Sequence, residues 1–224
     1  MKGMLHLILA TPGSSAYKYL FSAIEPNASN KSLILCPKDD AAQDATISNF
    51  WEWDDKDFKF TIARETDFEE WILFLSNDLQ VADQIEATLR LLALCPDLSL
   101  GRVLVFLDSE KLAEKQDLYL WLDGCSHFAD AICYTNRKNT NSKHIQDCIN
   151  RYSSMRYPLE TYVLNNKALP ISSLLNPVAR RISHVFDPLD LLDKNESIES
   201  DPYLERHANG ERVRKIPLIF SRSG

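Results

Sequence analysis

Six glycines in 224 residues leave little material for glycine-rich ligand loops. Neither G-x-G-x-x-G nor G-x-S-x-G occurs, so the dinucleotide fingerprint and the nucleophile elbow of the α/β-hydrolases are unsupported. The five cysteines (Cys36, Cys95, Cys125, Cys133, Cys148) are odd in number, and no two stand at C-x-x-C spacing. Neither a disulfide framework nor a tetrahedral zinc site is expected from them. Four lie in or beside apolar runs, where cysteine is usually a small buried hydrophobe, and reduced thiols fit a cytoplasmic compartment. The five histidines show neither H-x-x-x-H nor H-E-x-x-H spacing. No apolar stretch approaches a membrane span, and the run ending at Ala10 is too short for a signal-peptide core and cleavage site. Positive charge is also short: 25 Lys and Arg stand against 32 Asp and Glu, net −7 with a pI near 5.3. That balance argues against binding to nucleic acid or to an anionic membrane, both of which need basic surface.

What is present is a globular composition, 45% hydrophobic and 10% aromatic, in a chain long enough for one larger domain with or without an appendage. Short apolar runs alternate with helix-type segments. The runs are Leu5–Ala10, Ser32–Cys36, Trp71–Leu75, Val103–Leu107, Ala131–Tyr134 and Leu159–Leu164, with a more polar edge strand expected over 58–63. Helical spacing marks Tyr17, Leu20, Phe21 and Ile24, then about 81–94, then about 142–152. Continuous apolar runs separated by helices are what a parallel sheet covered on both faces requires. The expected fold is an α/β three-layer sandwich with a mostly parallel sheet, over residues 1–186. Residues 187–201 read as an acidic linker. Ala208-Asn209-Gly210 then carries the Asn-Gly hairpin signal, so 187–224 is expected to be a linker plus a hairpin, or a disordered tail.

In an open α/β sheet, ligands bind outside the carboxyl ends of the strands. After the first run comes Thr11-Pro12-Gly13-Ser14-Ser15-Ala16-Tyr17-Lys18. A phosphate cradle of the form G-x-x-x-x-G-K-[ST] converges backbone N–H groups on the anion and adds a lysine and a hydroxyl. Here there is one glycine, Pro12 removes an N–H, and Lys18 comes a full turn too late. Ser14 and Ser15 can cap a helix, or with Gly13 and Lys18 hold an anion at its N-terminus; the capped start is the preferred reading.

The order of the pieces nevertheless resembles the CobW/HypB/UreG class of metal-chaperone P-loop GTPases. Lys31–Cys36 with Asp39-Asp40 is similar to that family's second strand and acidic loop. Leu100–Asp108 is similar to its V-V-D-A strand, and Phe128–Asn136 to F-A-D-x-I-x-x-N-K-x-D. The resemblance runs from about residue 3 to residue 180. It implies a guanine-reading loop at Asn136-Arg137-Lys138-Asn139, in which Asn136 is kept. Arg137 replaces the lysine, and Asn139 replaces the aspartate that would accept from guanine. It also places Asp78 near the glycine of the family's E-x-x-G, where a carboxylate repels phosphate unless magnesium intervenes. The family's C-x-C-C metal motif is absent between Phe50 and Arg64.

Asp108, at a strand end, with Asp78 and Asp39 offers a candidate metal-binding cluster; capping of the helices that follow is the preferred reading of Asp78 and Asp108. Trp51 and Trp53, flanking Glu52, are either an exposed partner-binding patch or side chains folded back on the core. Two functions follow. The first is a non-catalytic P-loop-NTPase-like domain that needs no cofactor and acts through a protein partner or self-association at Trp51 and Trp53. The alternative is a divergent nucleotide-binding protein. It would hold phosphate at Gly13, Ser14, Ser15 and Lys18, base at Asn136 and Asn139, and magnesium at Asp78 and Asp108.

Overall fold

The computed structural model describes residues 3–24, 32–41, 47, 49–62, 68–113, 117–164, 170–176, 178–187 and 200–222. Most of the expected acidic linker, residues 188–199, lies outside these, as do Lys31 and Arg64. Eight strands form one sheet: β1 (Gly3–Ala10), β2 (Ser32–Pro37), β3 (Phe50–Asp54), β4 (Lys59–Ile62), β5 (Glu70–Phe74), β6 (Leu98–Asp108), β7 (Ala131–Thr135) and β8 (Glu160–Val163). Their order is β4-β3-β2-β5-β1-β6-β7-β8, and only β4 runs antiparallel to its neighbour. Each expected apolar run is a strand, and the fold is the expected α/β sandwich with a mostly parallel sheet.

Alternation along the central strands sorts the core into two halves. Leu5, Leu7 and Leu9 of β1, with Val103, Val105 and Leu107 of β6, face α3 (Val81–Leu94), α4 (Leu118–Phe128) and α5 (Ser142–Ser154). Ile8, Ile34, Ile72, Leu104 and Phe106 face α1 (Ala16–Ile24) and the short α6 (Ile171–Leu174). A single turn, α2 (Lys38–Ala41), follows β2. Because both faces are covered, Val103–Leu107 is buried without a break. Four of the five cysteines are buried and all five are free thiols. Among the described residues no helix is long and apolar enough to cross a membrane.

Residues 50–54 depart from expectation. The stretch Phe-Trp-Glu-Trp-Asp is a strand, and its period of two turns Trp51 and Trp53 inward while Phe50 and Glu52 face out. Trp51 is only 2% exposed; its indole N–H donates to the Phe74 carbonyl at 2.8 Å, and its ring meets Phe60 edge-on. Trp53 is half-buried, edge-on to Phe58 and Phe60. The exposed partner patch at Trp51 is therefore corrected: that side chain belongs to the core, and Trp53 leans on the same cluster. The Asp54 carboxylate accepts from the Lys56 and Asp57 N–H groups and so closes the turn into β4.

The pairing of β1 with β6 shifts register at His6. There the buried imidazole Nδ1 accepts the Arg102 N–H at 3.1 Å, standing in for a ladder partner. Burial first, and the Arg102 charge second, push the His6 pKa down to about 4, so the ring is neutral at physiological pH.

Residues 200–222 are ordered against the domain. Around Gly210 the Asn-Gly signal yields a turn with one antiparallel bridge, Arg206 to Arg212. The segment then runs along the groove between α3 and α4. Arg212 is buried and pairs with Asp83 and with Glu86, the latter at 2.9 Å; Ile216 packs over Gly124, and Phe220 meets Trp121 edge-on. Its start is pinned by Asp201, whose carboxylate accepts from His127 Nε2 at 2.7 Å, the Ser183 hydroxyl at 2.5 Å and the Tyr203 N–H at 3.0 Å. Burial works upward on this carboxyl, but the bonds from His127 and Ser183 outweigh it and hold the pKa below the ordinary aspartate value. A carboxyl depressed on folding contributes stability that is complete above its unfolded pKa. That contribution is lost as pH falls through the lower folded value. Asp201→Asn is expected to cost about 1–3 kcal/mol at neutral pH. It should also flatten the acid limb of a plot of stability against pH, measured by urea unfolding. An acid limb as steep as in the parent would show that Asp201 is not its source.

Candidate active site

The direction of the connections reverses at β1 and β6: β1 leads leftward to β2, whereas β6 leads rightward to β7. A doubly wound sheet opens its ligand crevice between two such strand ends. Five residues, Thr11–Ser15, join β1 to α1. They form a tight turn rather than a wide loop. The Ser14 N–H donates to the Thr11 carbonyl at 3.1 Å, with Pro12 at the second position and Gly13 at the third. Gly13 has φ +86°, the left-handed value a type II turn demands there. The Ser15 carbonyl accepts the first helical bond, from the Tyr19 N–H, while the Ser15 hydroxyl donates back to the Gly13 carbonyl at 3.5 Å and not to the helix. Ser14 is buried, whereas Ser15 and Lys18 are exposed.

Asp108 sits beneath this turn. Its N–H donates to the Thr11 hydroxyl at 2.8 Å, and one carboxylate oxygen accepts the Glu110 N–H at 3.2 Å. The other oxygen lies so close to Gly13 that a Cβ there would fall 2.6 Å from it. The switch point thus holds a carboxylate, 5% exposed, against the turn where a phosphate cradle would converge N–H groups.

Asn136 takes a left-handed conformation at the end of β7, φ 52°, and its amide donates to the Gly13 carbonyl at 2.7 Å. The Asn139 amide donates to Glu110 at 2.9 Å. Asn136 therefore reaches the turn after β1, Asn139 reaches Glu110 after β6, and both amides tie loops together. The asparagine that caps α5 is Asn141, which accepts the Lys143 N–H at 2.9 Å.

Asp78 does not cap α3. Gln80 holds the cap position without a side-chain bond, and buried Gln84 instead reaches back to the Ser76 N–H at 2.7 Å and the Ser76 carbonyl at 2.9 Å. Asp78 accepts from the Ser221 hydroxyl at 3.2 Å and the Arg222 N–H at 2.6 Å. Among the described residues no three His, Cys, Asp or Glu side chains converge as metal ligands, so Asp39, Asp78 and Asp108 do not form one cluster. Sequence reasoning missed Thr11, Asn77 and Arg222. Asn77 donates to the Ala10 carbonyl at 2.9 Å and closes the end of β1. Its position just past a strand was the only signal.

The fold is thus an eight-stranded, mostly parallel α/β sheet with helices on both faces, its connections reversing between β1 and β6. Two solved structures share it. One is the Zn(II)-bound YjiA GTPase from E. coli, similar with a TM-score of 0.54 at 12% identity over 79% of this chain. The other is a Zn(II)-bound triple mutant of YjiA GTPase, with a TM-score of 0.54 at 10% identity. This chain spans 62% of the length of either. No protein-family signature matches the chain, and no curated protein does.

Proposed function

We propose that this protein is a divergent nucleotide-binding domain of CobW-like, P-loop-GTPase ancestry, binding through the β1/β6 crevice without a lysine-centred phosphate cradle. The observation that carries the reading is the convergence of Gly13, Asp108 and Asn136 at the switch point of a fold shared with a GTPase. Asp108 sets the chemistry. A carboxylate at the switch point repels a bare phosphate, so binding requires a cation between them. The hard oxygens of Asp108 suit magnesium as that cation, which would neutralise the charge of the phosphates, with Asp78 on the adjacent β5 loop as a second ligand once released from Arg222. Lys18, exposed on the first turn of α1, is the cation assigned in this reading to a phosphate at the helix N-terminus. With Asn139 in place of aspartate, the base is read weakly. Slow or absent turnover is expected.

A second reading is the non-catalytic domain acting through protein contact. What favours it is that the Asn136 and Asn139 amides are bonded to Gly13 and Glu110. Its contact surface would exclude Trp51.

Calorimetric titration with magnesium-GTP, magnesium-ATP and magnesium-GDP separates the two. Micromolar binding, about −8 kcal/mol, that is lost without magnesium and weakened about tenfold in Lys18→Ala, one charge-assisted contact, supports the nucleotide site. Absence of heat with all three leaves the protein-contact reading.

A further inference from the structure

Asp78 follows β5 and Asp40 follows β2, both at the carboxyl edge of the sheet. The segment that began at Asp201, beside the opposite end of α4, arrives here. Its Arg222 guanidinium pairs with Asp40 and lies 3.7 Å from Asp78, while the Arg222 N–H and the Ser221 hydroxyl both donate to Asp78. Two donors from one strand of chain thus converge on Asp78 Oδ1, and the Arg222 guanidinium stands beside Oδ2 as an ion pair. A cation approaching Oδ2 would meet the guanidinium charge already there, so the two compete for that oxygen. The segment is held along its whole length by Arg212 on α3, Ile216 on Gly124 and Phe220 on Trp121, so its end is placed by packing and not by the charges alone. The strap therefore joins the loops after β2 and β5 across the edge that borders the crevice.

We propose that residues 213–222 are an autoinhibitory strap whose Arg222 competes with a magnesium-bound nucleotide for Asp78. The inference rests on the nucleotide reading above. Loading the site takes Asp78 from Arg222 and Ser221 and frees the end of the strap; docking the strap withdraws Asp78 from the site. By linkage the two are mutually weakening, and each disfavours the other by the same factor. The strap tunes affinity by only a modest amount, because Arg222 is itself 44% exposed.

The test combines two measurements on the full chain and on Arg222→Ala: the dissociation constant for magnesium-GTP, and amide hydrogen exchange across residues 213–222. In Arg222→Ala binding should tighten about fivefold, the scale of one partly exposed ion pair. In the parent chain, magnesium-GTP should speed exchange at the end of the strap. Equal affinities in the two proteins, or a strap that stays protected while nucleotide is bound, overturn the strap. If neither protein binds nucleotide, both proposals fall, and exchange in Arg222→Ala separates the causes. Fast exchange there means the strap opened onto a site that takes no nucleotide. Undiminished protection means Arg222 does not hold the strap.

Discussion

Trp51→Ala is expected to lower the unfolding free energy by about 3–5 kcal/mol, the range for truncating a buried aromatic. Two losses combine. The indole fills the space between β3, β5 and the Phe60 ring, and removing it leaves a cavity that strands on either side cannot close. The Phe74 carbonyl also loses the N–H it accepts at 2.8 Å. Trp53→Ala, on the same face but half-buried and without a hydrogen bond, should cost clearly less. Urea unfolding of both variants provides the comparison. A Trp51→Ala protein within about 1 kcal/mol of the parent, the ordinary range for a surface substitution, would return that tryptophan to the surface and revive the partner patch.

Gly101→Ala is the second large effect. An added Cβ would stand 2.4 Å from His6 Cε1 and 2.7 Å from its Nδ1, closer than any real contact allows. The imidazole has no room to retreat, being 1% exposed in the middle of the sheet. Displacing it takes away the acceptor for the Arg102 N–H, and a buried unpaired donor costs about 1–3 kcal/mol. Overpacking adds about 1–3 kcal/mol. The double variant His6→Ala/Gly101→Ala should be less unstable than the sum of its parts, because the alanine methyl then occupies space the ring has left. Strict additivity in that cycle would show that the two residues do not meet.

The sheet was legible because its central strands are buried on both faces. Burial on two sides demands continuous apolar runs, and Val103–Leu107 or Ala131–Tyr134 cannot be mistaken for a half-exposed strand. Strand β3 was not legible as a strand, since its four-residue alternation of tryptophan with acid fits a surface patch as well as an edge of a sheet. The choice depends on whether Phe60 and Phe74 stand opposite, which is a matter of pairing between distant segments. At the candidate site, the sequence named Gly13, Asp108, Asn136 and Asn139, because strand-end positions are where this architecture gathers its loops. It assigned their bonds less well. Asp78 reads locally as a helix cap, yet its partners are Ser221 and Arg222, which lie 143 and 144 positions away.

Composition and periodicity by themselves determined the α/β class, the parallel sheet, and the absence of a glycine-rich, lysine-bearing phosphate loop. These follow from local rules: two-sided burial fixes the pattern of a strand, and a turn of Thr-Pro-Gly-Ser has too few free N–H groups for a cradle. Only the tertiary structure decided that Trp51 is core, that His6 fills a register shift, and that residues 200–222 cross the α3/α4 groove to reach Asp78. Each of these is a contact between segments far apart in the chain, whose free energy depends on which surfaces the fold brings face to face.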